Sequence, residues 1–213
     1  VVITPWNAPF MLSTWKCSPA LAAGNTVILK PAEWSPLSCS LLADLAHEAG
    51  VPAGVFNVVQ GDKLAVDTLL KHPDVKAVSF VGSTPIAQYI YETGAHHGKR
   101  VQAAGGAKNV LVVMPDADPE PTIRAIMGSA FGCAGQRCMA GSIVVAVGGA
   151  WEDLKTELVP RTEALTVGDG MDSGTAVGPV VSCQARDRIR GMVDKAVEQG
   201  ASLAVDGRQP GLS

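Results

Sequence analysis

Short apolar runs rich in β-branched residues alternate with helical patterns along the first half of the chain. The runs at 1–4, 26–30, 55–59 and 75–81 are predicted to be strands. Continuous Val-rich runs are typical of strands that are covered by helices on both faces. Strands that alternate with helices indicate βαβ units and a parallel sheet. The sequence therefore predicts an α/β fold.

The helices between these strands are predicted from caps and apolar periodicity. Ser35 is expected to cap a helix that has Pro36 at its first position and that ends at Gly50. Further helices are expected over 62–72 and 85–96. In open parallel sheets, ligands bind beyond the carboxyl ends of the strands, so a dinucleotide is expected there. The apolar face of the first helix is predicted to contain Leu37, Leu41, Leu42, Leu45, Ala46 and Ala49.

The alternation stops at the Gly-rich stretch 103–108, and a second α/β pattern begins at 110–114. We therefore predict two incomplete α/β domains, residues 1–107 and 108–213, the first a Rossmann-like parallel-sheet domain. The second is expected to contain a helix over 120–130, a loop over 132–140, a strand over 142–147, and helices over 151–164 and 184–199. The last helix is predicted to bury one face, formed by Ile189, Met192, Val193, Ala196 and Val197.

Composition excludes several classes of function. The 213 residues include 17 Lys and Arg against 20 Asp and Glu, with no basic cluster, which argues against a nucleic-acid partner. No apolar run reaches the roughly 18 residues of a membrane span, and no leader pattern opens the chain. We expect small-molecule partners and a cytoplasmic location, or the mitochondrial matrix if the source is eukaryotic. The apolar start without Met indicates an internal fragment of a longer chain.

One segment of the chain combines residues that are typical of a catalytic site. No G-x-G-x-x-G follows a strand, the stretch 94–99 lacks the P-loop spacing, and no metal site is expected. In the Gly-rich loop 132–140, Arg137 lies next to Cys138, and a neighbouring cation favours the nucleophilic thiolate. A structural thiol in this loop is the alternative. Five cysteines form no disulfide pattern, and Cys17, Cys39 and Cys183 are expected to be buried and inert.

Four ordered segments together resemble the aldehyde dehydrogenase superfamily. The resemblance covers essentially the whole chain, and members of the superfamily are much longer. It implies that the chain holds the later part of an NAD-binding domain, residues 1–107, and the first part of a catalytic domain, residues 108–213. It also implies a homo-oligomer, dimer or tetramer, for the full-length enzyme. The segments are Thr4-Pro5-Trp6-Asn7, Leu29-Lys30-Pro31-Ala32-Glu33, Phe80-Val81-Gly82-Ser83-Thr84 and Gly135-Gln136-Arg137-Cys138.

The resemblance implies a role for each matching residue. Cys138 is implied to be the nucleophile that attacks the aldehyde carbon before hydride transfer to nicotinamide. The side-chain amide of Asn7 and the backbone N–H of Cys138 are implied to form an oxyanion hole. Lys30 and Glu33 are implied to bind the adenosine ribose, with Glu33 favouring NAD over NADP, and Ser83 is implied to contact the pyrophosphate. Thr4, Trp6 and Gly61 are assigned to the same cleft, with core packing the alternative for Trp6.

One departure from the superfamily pattern narrows the prediction. Hydrolytic members have a Glu-Leu-Gly-Gly-Lys segment, and aligning Lys108 places Ala104 where that Glu acts as general base. This departure resembles the CoA-acylating methylmalonate-semialdehyde dehydrogenase branch. The resemblance implies methylmalonate or malonate semialdehyde as substrate, NAD as cofactor, CoA as co-substrate, and propionyl-CoA or acetyl-CoA and CO₂ as products. Arg137 is then implied to bind the substrate carboxylate, and stabilisation of the thiolate or a structural ion pair is the alternative role for it. A hydrolytic aldehyde dehydrogenase and an inactive fragment are the alternatives.

Overall fold

The computed structural model describes residues 1–208. These residues divide into two compact units, of which the first is Val1–Gly106 and the second begins at Ala107. The carboxyl end of the second predicted domain, residues 209–213, lies outside the described residues. None of the helices in the described part is long and apolar enough to cross a membrane.

The first unit is built on a five-stranded parallel sheet, which confirms the predicted α/β class. Its strands are β1 (Val2–Ile3), β2 (Val27–Lys30), β3 (Phe56–Val58), β4 (Ala77–Val81) and β5 (Arg100–Ala104). Their order in the sheet is β3-β2-β1-β4-β5, so the order reverses between β1 and β4. At such a reversal a crevice opens beyond the carboxyl ends of the strands, where dinucleotides bind in doubly wound folds. The sequence pattern does not predict β5, since Val101 is its only β-branched residue.

Helices cover both faces of this sheet. Val2 packs with Cys17 and Cys39 on one face, whereas its neighbour Ile3 packs with Leu70 and Ile90 on the other. Because successive side chains of a strand alternate between faces, β1 is buried on both sides, as the Val-rich runs predict. The helices are α1 (Pro9–Ala22), α2 (Leu37–Glu48), α3 (Lys63–Lys71) and α4 (Thr84–His96). Helix α1 was not among the predicted helices, and it contains Pro19 in its interior.

Helix α2 differs from its prediction in two respects. The residue before its first turn is Pro36, and the hydroxyl of Ser35 makes no cap; that hydroxyl is buried without a hydrogen-bond partner within residues 1–208. The predicted apolar face is also wrong in part, since the helix turns Cys39 inward instead. The leucines four residues apart, Leu37, Leu41 and Leu45, are exposed.

The second unit contains a two-stranded parallel sheet and three helices. The strands are β6 (Asn109–Val113) and β7 (Gly141–Ala146), and the helices are α5 (Pro119–Phe131), α6 (Ala150–Glu163) and α7 (Cys183–Glu198). A short 3-10 turn, Gly132–Gly135, follows α5. The core of this unit is formed by Val113, Ile123, Ile126, Ala150 and Leu154.

Helix α7 lies where the period predicts it, but its predicted apolar face is not buried. No residue of α7 is buried, and of the five predicted face residues only Val193 is even half-buried. The prediction fails because a 3.6-residue period shows that a helix has an apolar side, not that this chain provides a surface against it.

Candidate active site

The predicted cofactor-binding residues all lie at one edge of the five-stranded sheet. Since the strands are parallel, their carboxyl ends meet at the same edge, and the segments that follow them lie next to one another. This edge includes the reversal between β1 and β4, where a dinucleotide is expected to bind. The residues are Thr4 and Trp6 after β1, Lys30 and Glu33 at the end of β2 and beyond it, Gly61 after β3, and Ser83 after β4.

Lys30 and Glu33 form an ion pair at this edge. The Nζ of Lys30 lies 3.2 Å from the Oε2 of Glu33. The lysine side chain is buried, with 5% of its surface exposed, whereas the glutamate is 55% exposed. Lys30 therefore holds an accessible carboxylate at the end of β2, which is the chemistry needed to accept hydrogen bonds from ribose hydroxyls.

The amino terminus of α4 also lies at this edge. Ser83 is the residue that precedes the helix, and its exposed side chain makes no capping hydrogen bond. The unpaired backbone N–H groups of a first turn and the positive end of the helix dipole favour an anion. The neighbouring Thr84 accepts a hydrogen bond from Gly106 N–H at 2.9 Å, which ties the loop after β5 to this terminus.

Gly61 is required at its position for two reasons. Its φ of +143° lies in a region that residues with a side chain rarely adopt. A Cβ atom there would also lie 2.7 Å from the Cβ of Ala65. The backbone after β3 thus approaches α3 closely at Gly61.

The side chain of Thr4 points into the protein. Only 3% of Thr4 is exposed, and its hydroxyl lies 3.1 Å from the hydroxyl of Ser13, which is fully buried in α1. Any contact of Thr4 with a cofactor would therefore involve its main chain. Trp6 is half-buried, so both predicted roles for it stay open. Asn7 follows in the same segment of the first unit, whereas Cys138 belongs to the second unit, so their joint role stays a prediction.

Ala104 is the last residue of β5 and lies at the same edge as the predicted cofactor site. It pairs with Val81 of β4, and its carbonyl oxygen accepts a hydrogen bond of 3.1 Å from Gly82 N–H. The position that carries the general base in hydrolytic members of the resembled family is therefore next to the end of β4, with a methyl group in place of a carboxylate.

Cys138 lies at the corner of a tight turn. The N–H of Ala140 donates to the carbonyl oxygen of Arg137 at 3.1 Å, which makes Cys138 and Met139 the two central residues of the turn. The Cys138 residue is exposed. An exposed thiol on a hydrogen-bonded turn is both accessible and fixed, as a nucleophile must be.

The segment before this turn is held in an unusual backbone conformation. Cys133 and Ala134 have φ angles of 54° and 53°, the only positive values outside glycine in residues 1–208. The side chain of Gln136 secures the segment: its Nε2 donates to the Cys133 carbonyl at 3.2 Å, and its Oε1 accepts from Val181 N–H at 2.8 Å. Such strain persists only where surrounding contacts hold it, and it clusters at functional sites.

Arg137 makes a structural contact, with main-chain carbonyls of α5. Its Nη2 donates to the carbonyl oxygens of Gly128 and Ser129, in the last turn of α5. A cation at the carboxyl end of a helix binds unpaired carbonyls and complements the dipole. Gly132 leaves room for this contact, since a Cβ there would lie 2.6 Å from the same nitrogen. Within residues 1–208, Nε and Nη1 of Arg137 make no hydrogen bond, so they remain able to bind a carboxylate.

The structure corrects one of the three predictions for buried thiols. Cys17 and Cys39 are buried, as predicted, but Cys183, at the start of α7, is exposed. Cys133 and Cys138 are exposed as well. Burial raises the pKa of the Cys17 thiol to about 11. Because this exceeds the pKa of a free thiol, about 8.5, neutral Cys17 stabilises the fold below pH ~8.5, and the stabilisation is lost as pH rises through 11.

We therefore expect iodoacetamide at pH 8 to alkylate three thiols of the folded protein and to leave two unmodified. Cys133, Cys138 and Cys183 should react, whereas Cys17 and Cys39 should react only after denaturant is added. Peptide mass spectrometry before and after denaturation measures this directly. Rapid alkylation of Cys17 at pH 8 in the folded protein would contradict its burial on the face of α1 that packs against the sheet.

No group of three or more His, Cys, Asp or Glu side chains in the described part of the chain is arranged to hold a metal ion.

Comparison with known proteins identifies relatives of the whole chain. The model of the aldehyde dehydrogenase family matches residues 1–213. A malonate-semialdehyde dehydrogenase of Pseudomonas aeruginosa is 55% identical over 207 residues, which cover 97% of this chain and 42% of that protein. The crystal structure of methylmalonate-semialdehyde dehydrogenase from Oceanimonas doudoroffii matches with a TM-score of 0.94 and 49% identity, over 100% of this chain and 44% of that one.

A more distant relative has been solved with a dinucleotide bound. The betaine aldehyde dehydrogenase of Staphylococcus aureus in complex with NAD⁺ matches with a TM-score of 0.92 and 32% identity. The match covers 98% of this chain and 42% of that one. The chain therefore spans less than half the length of each of these relatives.

Proposed function

The chain belongs to the aldehyde dehydrogenase family, and on that premise we propose that the full-length protein is an NAD-dependent oxidoreductase acting on malonate or methylmalonate semialdehyde. The observation that carries this proposal is Cys138, an exposed thiol fixed on a hydrogen-bonded turn. Relatives named malonate-semialdehyde and methylmalonate-semialdehyde dehydrogenase support the substrate class.

The covalent step begins at Cys138. Its thiolate attacks the aldehyde carbon, a C–S bond forms, and the carbonyl π electrons move to oxygen to give a thiohemiacetal anion. The Asn7 amide and the Cys138 backbone N–H are proposed to stabilise that oxyanion. Each donor of this kind typically contributes about 2.7–4 kcal/mol to the transition state. Loss of hydride then leaves an acyl thioester on Cys138.

The first unit fits the cofactor that this chemistry needs. Bound NAD supplies the hydride acceptor. Glu33, held by Lys30, would accept hydrogen bonds from the ribose hydroxyls, and its negative charge disfavours a 2′-phosphate. Ser83 and the first turn of α4 would bind the pyrophosphate, and the main chain at Thr4, with Trp6 and Gly61, would line the cleft. A relative crystallised with NAD⁺ supports this assignment.

We propose that CoA, and not water, releases the acyl group. With Ala104 at the end of β5, no carboxylate at this position activates a water molecule. A thiol needs less help, because its pKa of about 8.5 leaves a useful fraction ionised at neutral pH. Thiolate attack on the thioester forms a new C–S bond and releases Cys138. Decarboxylation of the acyl group would break the C–C bond to the carboxylate, with the electron pair passing into the thioester enolate and a proton from solvent adding to the carbon. Malonate semialdehyde, NAD and CoA would then give acetyl-CoA, CO₂ and NADH. The homo-oligomer and the cytoplasmic location stay predictions.

Arg137 is proposed to bind the substrate carboxylate, and this gives the substrate test. Replacing Arg137 by Gln should lower kcat/KM for malonate semialdehyde by roughly 10- to 100-fold relative to the change for propanal, since charged hydrogen bonds contribute about 1.5–3 kcal/mol. NADH formation followed at 340 nm in the full-length protein measures both substrates.

The comparison of the two aldehydes separates this role from the contact of Arg137 with α5. Loss of the helix contact alone should slow both substrates equally. Arg137→Lys keeps a charge and should retain part of the preference for the charged aldehyde. An equal loss of kcat/KM for propanal and malonate semialdehyde in Arg137→Gln would show that Arg137 does not bind the substrate carboxylate.

A further inference from the structure

A single carboxamide ties the turn that carries Cys138 to the start of β6. The Nδ2 of Asn109 donates to the main-chain oxygens of Cys138, at 2.8 Å, and of Ala140, at 3.0 Å. Both acceptors are carbonyl oxygens, so the amide nitrogen, and not the amide oxygen, must face them. With one hydrogen for each carbonyl, both donors of this nitrogen are used.

The conformation of this turn determines the direction of the Cys138 N–H. The Arg137 carbonyl accepts the hydrogen bond from Ala140, and it shares one planar peptide group with the Cys138 N–H. No peptide bond in residues 1–208 is cis, so this N–H points away from that carbonyl and out of the turn. Displacement of Ala140 would therefore rotate the peptide group that carries the N–H.

Asn109 is placed where the sheet itself provides less restraint. The register between β6 and β7 is irregular between Asn109 and Val110, opposite Gly141. The N–H of Gly141 donates instead to the side chain of Ser129 at 2.8 Å. Side-chain hydrogen bonds thus hold the segment between Cys138 and β7, and Asn109 supplies two of them.

From these contacts we infer that Asn109 is a positioning residue, which holds the backbone at Cys138 so that its N–H meets the oxyanion formed on carbonyl attack. This rests on the proposed function, in which Cys138 is the nucleophile. Asn109 acts through the main chain of the turn and does not touch the substrate. A misplacement of about 1 Å can cost roughly 10²-fold in rate, so the loss of two hydrogen bonds next to the nucleophile should be measurable.

Two reagents separate positioning from simple thiol reactivity, without NAD or an aldehyde. With p-nitrophenyl acetate, the Cys138 thiolate adds to the ester carbonyl through an oxyanion, the C–S bond forms, the C–O bond breaks and p-nitrophenolate leaves. With iodoacetamide, the same thiolate displaces iodide from a saturated carbon, and no oxyanion forms. Only the first reaction needs the Cys138 N–H in place.

We expect Asn109→Asp in the full-length protein to slow acetylation of Cys138 by about 10- to 100-fold. Its carboxylate would place acceptors against two carbonyl oxygens and so release the turn. Alkylation of Cys138 by iodoacetamide should stay within about threefold of the unaltered protein, and Cys17 should stay protected. Asn57→Asp is the matched control, since Asn57 Nδ2 also donates to two carbonyls, Gly54 at 2.8 Å and Val27 at 3.5 Å. It should leave acetylation unchanged.

Three results would overturn the inference: unchanged acetylation in Asn109→Asp, equal slowing in Asn57→Asp, or no acetylation of Cys138 in the unaltered protein. If Asn109→Asp does not fold, Asn109→Ser is the test variant. One hydroxyl can replace only one of the two donors, so Cys138 should be acetylated at an intermediate rate. A rate equal to that of the unaltered protein would then overturn it. Failure of the proposed function would show separately, as a lack of NADH formation from either semialdehyde.

Discussion

Replacing Cys138 by alanine should abolish NADH formation by the full-length protein, with a loss of roughly 10⁴- to 10⁶-fold in kcat. Removal of a catalytic nucleophile typically has effects of this size, because no covalent intermediate can form. The measurement is a stopped-flow trace at 340 nm with malonate semialdehyde, together with the mass of the protein after quenching. An acyl adduct should be found on the unaltered protein and be absent from Cys138→Ala.

Cys133→Ala is the control for this prediction. Both thiols are exposed and lie on the same segment, but Cys133 has a positive φ and precedes the turn, whereas Cys138 lies at its corner. Cys133→Ala should keep its acyl adduct and a rate within a fewfold of the unaltered protein. If Cys133→Ala loses the acyl adduct and Cys138→Ala retains it, Cys133 and not Cys138 is the nucleophile.

The second large effect is expected at Ala104. Replacing Ala104 by Glu should raise the rate of NADH formation without CoA by roughly 10- to 100-fold, part of the 10²–10⁴ that a well-placed general base provides. The carboxylate would activate water against the thioester on Cys138. The increase should grow with pH as the carboxyl group ionises, and the product should change from thioester to free acid.

Ala104→Gln is the matched control, since glutamine has the size of glutamate and cannot accept the proton. A rise in Ala104→Glu that is absent from Ala104→Gln would identify base catalysis as its cause. If neither variant changes the rate without CoA, the absence of a carboxylate at position 104 does not explain thiol-dependent release.

The sheet could be predicted from the sequence because its strands are buried on both faces. Four Val-rich runs gave the positions of β1 to β4, whereas β5, with Val101 as its only β-branched residue, lacked that signal. Burial of helix faces was less predictable. Leu41 and Cys183 are exposed although their patterns are apolar, because exposure depends on which surfaces the rest of the protein supplies.

The candidate site also contains residues that could be placed from the sequence and contacts that could not. The residues that follow strand ends, such as Glu33 and Ser83, could be placed from the sequence because strand order alone brings them to one edge. The contacts that fix the nucleophile could not. Asn109 is separated from Cys138 by 29 positions, and Arg137 reaches back to the end of α5. These hydrogen bonds depend on where the helix and the two strands pack, which no local pattern encodes.

The requirement for CoA distinguishes thiol-dependent release of the acyl group from hydrolysis. The full-length protein is mixed with malonate semialdehyde and NAD, with and without CoA, and NADH, acetyl-CoA and CO₂ are measured. We expect sustained NADH formation with stoichiometric acetyl-CoA and CO₂ when CoA is present. Without CoA we expect a burst of about one NADH per Cys138, followed by a rate at least 10-fold lower. Equal sustained rates without CoA, with a free acid as product, would contradict thiol-dependent release.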